Sequence, residues 1–150
     1  MPVSLTTDRL NLPLLAAGQA QKELTHNEAI TKIDALLFPR AELAGLNTPP
    51  TTPLPGQCWL LGATPTADWA GMAFHLALWT SAGWRFSVLP LGSRVAVGAN
   101  QTLWTLNASG WQVAAAITSP TAGTTIDVEC RAAVTALLQA LRSIGIIAEA

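Results

Sequence analysis

The chain has 150 residues, enough for one compact domain with a core, or a small domain plus an oligomerisation element, but too few for two full domains. A formal net charge of -1 supplies no basic field to gather phosphates, which argues against nucleic acid as a partner. Half of the residues are apolar and only 11% are charged, where soluble domains carry about 25%, so part of the surface is expected to be hidden against further copies of the chain.

The opening, "MPVSLTTDRLNLP", has no basic stretch followed by an apolar run, so no Sec signal is expected. Helical spacing runs from about Gln19 to Leu37, with Leu24, Ile30, Ile33 and Leu37 three or four residues apart or at multiples of that. Asn27 is placed to cap a second helical segment, "EAITKIDALL". Phe38-Pro39 ends the helix, because proline disfavours helical geometry in the residue before it. Charge marks the boundaries: nine of the seventeen charged residues lie in 1–42, three in 43–126 and five in 127–150. The expected organisation is an N-terminal helical segment over 1–42, a Trp-rich β domain over 43–120 and a C-terminal oligomerisation helix over 121–150.

Between 49 and 55 four prolines make an extended connector. Short β runs then alternate with turn chemistry: "CWLL", "FHLALW", "WRFSVL", "RVAV", "TLWTL" and "WQVAAAI". Their brevity and hairpin signals predict a small antiparallel sheet of five or six strands. The stretches "LWTSAGW" and "LWTLNASGW" read as two hairpins closed by Gly83 and Gly110, with tryptophans on both arms. Trp79, Trp84, Trp104 and Trp111 therefore either pair across strands in a core, each pair adding about 0.2–1 kcal/mol, or form an exposed face that stacks on sugar or on a partner protein. The charge-free run from Val95 to Ile126 is too rich in Thr, Ser, Asn, Gln and Gly for a spanning helix, and no membrane insertion is expected.

From Asp127 the spacing is helical again. Cys130, Val134, Leu137, Leu141 and Ile144 fall four, three, four and three apart, an a/d heptad stripe. Asp127 and Glu129 suit the positive end of the helix dipole, Arg142 the negative end, and Gly145 a C-terminal stop. A helix this short is marginal alone, so the stripe packs either on the sheet or on copies of itself; the low charge favours a short parallel bundle, with which a trimer is compatible. The fold class is therefore α+β: an N-terminal helical segment, a small Trp-rich antiparallel β domain and a C-terminal heptad helix in a trimeric bundle.

Chemistry is sparse. Glu23-x-x-His26 has di-iron spacing, but such a site needs a second copy of the motif, and none exists. His75 has no acid or nucleophile motif nearby. Gly-x-Ser-x-Gly, phosphate-loop and dinucleotide patterns are missing, and the tryptophan zone offers only Asp68 where glycoside hydrolysis needs two carboxylates. We expect no enzyme, no catalytic residue, no metal and no cofactor. Cys58 and Cys130 form neither a disulfide framework nor a zinc site and read as two buried free thiols. "NAS" at 107–109 fits a glycosylation site and equally a turn.

The run "RLNLPLLAAGQAQKELTHNEAITKIDALL", residues 9–37, resembles a family of phage-type proteins known as a domain of unknown function, found in tailed phages, prophages and gene transfer agents. The proline-rich entry, Gly56, Trp69-Ala-Gly71 and Gly83-Trp84 carry the resemblance on to about residue 88. It implies a virion component: a tail-fibre or spike protein, trimeric, docked on the particle at one end and facing the host envelope at the other. The segment "IDVECRAAVTALLQALRSIGII" is similar to short helices that close trimeric phage fibres. Implied partners are the chain itself as a homotrimer and other tail or baseplate proteins; the exposed reading of the tryptophans adds host surface polysaccharide. The alternative is a baseplate or capsid adaptor that docks another fibre and keeps its tryptophans buried.

Overall fold

A computed structural model describes residues 5–18, 22–121, 123 and 126–149. The chain starts with a strap that folds back on itself: Thr7 N–H donates to the Leu12 carbonyl (2.9 Å), and Leu14 N–H to that of Leu5 (2.7 Å). The strap lies against one continuous helix, α1 (Lys22–Leu36). The expected helix start at Gln19, with Ala20 and Gln21, lies outside the described residues.

Asn27 does not cap a second segment. It sits inside α1, where its Oδ1 accepts from Leu15 N–H (2.9 Å) and its Nδ2 donates to the Leu15 carbonyl (3.0 Å). Seven residues on, and so on the same side of the helix, buried Asp34 accepts from the backbone amides of Arg9 (3.1 Å) and Leu10 (2.8 Å). Arg9 in turn donates to the carbonyls of Asp34 (2.7 Å), Ala35 (2.9 Å) and Phe38 (3.1 Å), satisfying oxygens that a helix end leaves without partners. The side of α1 that holds the strap is therefore polar. Leu24, Ile33 and Leu37 of the expected stripe are left largely exposed.

After the helix come β1 (Arg40–Ala41), β2 (Ala44–Leu46), β3 (Cys58–Leu61), a 3-10 turn at Ala67–Trp69, β4 (Leu76–Thr80), β5 (Gly83–Ser87), β6 (Arg94–Val97), β7 (Thr102–Asn107), β8 (Gly110–Val113) and α2 (Val128–Ser143). The single antiparallel sheet expected from the sequence is instead two four-stranded mixed sheets, ordered β1-β6-β7-β8 and β2-β3-β4-β5. The reason lies in residues 40–46, whose charges and glycine conceal any strand alternation. This short run pairs parallel with β6 at its start and parallel with β3 at its end, so one segment supplies a strand to each sheet.

The two tryptophan stretches do form hairpins, β4–β5 and β7–β8. Gly110 has φ 103°, and a Cβ there would run into the Phe74 ring, so the second turn requires glycine. Residues from α1 and both sheets share one core, among them Ala35, Ala41, Leu60, Leu76, Val95 and Trp111.

α2 begins at Asp127, whose carboxylate accepts from Cys130 N–H (2.8 Å), and ends as expected at Gly145. Gly145 N–H reaches the Arg142 carbonyl (2.9 Å) and Ile146 N–H that of Leu141 (2.9 Å), the bond pair of a Schellman cap. The tail beyond then joins β7: the Gly145 carbonyl accepts from Leu103 N–H (2.7 Å).

Candidate functional site

Strand alternation divides the tryptophans between two places. On the outer face of the second sheet Trp59, Trp79 and Trp84 meet Trp69 from the 3-10 turn. Trp84 is the hub, with ring centroids 5.4 Å from Trp59, 5.1 Å from Trp69 and 4.8 Å from Trp79, all edge to face, the geometry ring quadrupoles prefer. Trp79 and Trp84 are direct cross-strand partners, as the hairpin reading requires.

The other two belong elsewhere. Trp104 pairs with Val113 and Trp111 with Leu106, so these indoles sit diagonally on one face of the first sheet. Trp111 is buried and donates its Nε1–H to the Phe74 carbonyl (3.0 Å) across the core. The expected set of four is thus not one surface: Trp79 and Trp84 come together, Trp104 and Trp111 face the shared core. Trp59 and Trp69, which complete the cluster, were signalled in the sequence only by their place in "CWLL" and "ADWAG".

The heptad stripe lies on α2 and faces outward. Val134 is 37% exposed, Leu137 59% and Ile144 67%, Leu141 is half-buried, and Leu138 is the helix's one buried side chain. Cys130 is exposed, not buried as expected, because the stripe to which it belongs points away from the sheets. Arginines hold the other side of α2, with Arg142 donating to the Ile117 carbonyl and Arg131 to that of Pro120 (3.3 Å).

A cleft of about 820 Å³ separates α1 and the strap from the β4–β5 hairpin. Asp8 stands on its rim. Burial, and after it the nearby Asp34 carboxylate, raises the Asp8 carboxyl above its ordinary range. Protonated Asp8 therefore favours the fold, an advantage complete below the ordinary carboxylate pKa and gone once pH passes the raised value. Asp8→Asn, uncharged throughout, is expected to melt higher than the parent at about pH 7 and at the same temperature at about pH 3. Equal shifts at both pH values, followed by thermal denaturation, would contradict this origin.

His26 is exposed on α1, and the His75 Nδ1 lies 2.8 Å from the Ala73 carbonyl. Among the described residues no three histidine, cysteine or acidic side chains are grouped to hold a metal. No helix of the described chain is long and apolar enough to cross a membrane.

The geometry defines an α+β protein that carries an exposed apolar stripe on α2. The chain belongs to the DUF2793 family, described as a protein of unknown function, whose model matches residues 26–112. That span runs from within α1 through both hairpins and stops short of α2. No curated protein and no solved structure gives a significant match.

Proposed function

We propose that this protein is a non-enzymatic structural subunit of a phage-like particle, a tail-fibre or spike component of a phage or gene transfer agent that assembles as a homotrimer through α2. The subunit is made in the bacterial cytoplasm and ends in the virion, against other tail or baseplate proteins. The observation that carries self-association is the outward heptad stripe of Cys130, Val134, Leu137 and Ile144 on a chain with only 11% charged residues. A 3.5-residue apolar period fits a second copy of the same helix better than a flat sheet. The virion setting is supported by the resemblance of residues 9–88 to phage-type proteins. Saccharide contact narrows to the half-buried pair Trp79 and Trp84. Burial of Trp59, Trp69 and Trp111 favours the second reading, an adaptor that docks another fibre.

Light scattering tests the assembly: the expected mass is about three times 15.7 kDa. In a parallel trimer the three Cys130 thiols stand at one height, so mild oxidation links two copies into a dimer band on a non-reducing gel. Cys130→Ser removes the band. Cys58 does not contribute, since burial pushes its thiol up to about 11 and keeps it from solvent, the Arg9 charge opposing only in part. A monomer mass with no cross-linked band would end the proposal.

A further inference from the structure

The second sheet ends at β5, and among the described residues no strand pairs with its outer edge. Trp79 commits both backbone groups to the opposite side, donating to the Gln57 carbonyl (2.9 Å) and accepting from Gly56 N–H (2.9 Å). Its partner Trp84 is therefore at a non-hydrogen-bonded position, and by the alternation of an antiparallel ladder so is Phe86. The N–H groups of Trp84 and Phe86 point away from the sheet, and among the described residues no backbone group meets them. Arg85 covers part of this edge by donating to the Trp84 carbonyl (3.1 Å), a charged side chain of the kind that protects exposed strands.

The cleft described above runs along this edge. Three consecutive residues, Arg85, Phe86 and Ser87, line it, so it reaches the strand's backbone as well as one of its faces. α1 forms the opposite wall, with Glu28 and Thr31. Ser87, only 8% exposed, lines the inner end of the cleft. The walls carry the carboxylates of Asp8, Glu23 and Glu28, with buried Asp34 already held by two strap amides, against two cations, from Lys32 and Arg85. A groove between a helix and a free strand edge suits an extended chain that adds itself to the sheet, and the excess of carboxylates selects a basic one.

We propose that the groove between α1 and β5 binds an extended, lysine- or arginine-bearing segment of a partner polypeptide as an added strand, main chain on Trp84 and Phe86 and basic side chain toward Glu28. The groove shares no residue with the α2 stripe, and strand addition there does not depend on a trimer.

The test uses the full-length 15N-labelled protein and two blocked heptapeptides, Thr-Val-Lys-Val-Lys-Val-Thr and its glutamate counterpart, titrated to about 1 mM, where weak strand addition is still visible. Amide shifts are expected at residues 83–87 and along α1, with the lysine peptide binding about tenfold tighter than the glutamate peptide. A version of the lysine peptide with alternate amides N-methylated is expected not to bind, because it cannot complete the ladder. Exposed Glu28→Lys, which leaves the fold intact, is expected to remove the preference for lysine. No shifts at β5, equal affinity for the two peptides, or undiminished binding after N-methylation would each overturn the proposal.

Discussion

Val134→Asp together with Leu137→Asp is expected to lower the solution mass from the trimer value to 15.7 kDa while leaving the melting of the subunit fold nearly unchanged. Both side chains face solvent in the single subunit, so in a monomer the aspartates are hydrated at little cost. In the trimer each of these two apolar side chains is worth about 1.5–3 kcal/mol of burial, and a carboxylate in its place costs several kcal/mol more per ion. Three copies of two such changes exceed what a short helical bundle can bear. Leu138→Asp is the contrasting variant. Leu138 is 5% exposed, so that change is expected to loosen α2 from its own subunit. A trimer that survives the double substitution would place the interface elsewhere, and the exposed Leu24 and Ile33 of α1, with Leu37 just after it, are the next surface to change.

Trp69→Ala is expected to cost about 3–5 kcal/mol, measured as a fall in the denaturant midpoint. Trp69 has no exposed surface, and its ring lies 5.1 Å from Trp84 and 6.4 Å from Trp59, so its loss opens a cavity beneath both. A domain of ordinary stability has only about 5–15 kcal/mol in reserve, so the variant is close to unfolding. The indole Nε1–H of Trp69 is buried with no partner among the described residues, which itself costs about 1–3 kcal/mol. The side chain is therefore held there for its volume. Trp79 is the comparison, half-buried at the rim and in ring contact with Trp84. Trp79→Ala is expected to cost clearly less, and it is the variant to carry into tests of saccharide binding. Equal losses for Trp69→Ala and Trp79→Ala would mean that the cluster is not organised around a buried centre.

The polar groups that fasten the strap show where sequence reading reaches its limit. Arg9, Asn27 and Asp34 all stand in the run that carries the family resemblance, and their types suggest surface and capping roles. Which backbone each one meets depends on how the strap lies against α1, which no periodicity records. Local pattern was sufficient for α1 over its described length, for the two tryptophan hairpins, for the Asp127 and Gly145 ends of α2 and for its heptad stripe. Each rests on interactions within a few residues: helical spacing, turn glycines, a cap.

What only the tertiary structure decided is everything that depends on which face meets which. It split the tryptophans into a half-buried cluster on one sheet and a pair facing the shared core, made two mixed sheets through a seven-residue segment too irregular to read as a strand, and turned the stripe of α2 outward. The strap, the free edge of β5 and the cleft beside it likewise exist only after folding. Burial and strand pairing are set by contacts between residues distant in sequence, and a single chain's pattern specifies an apolar face without naming its partner.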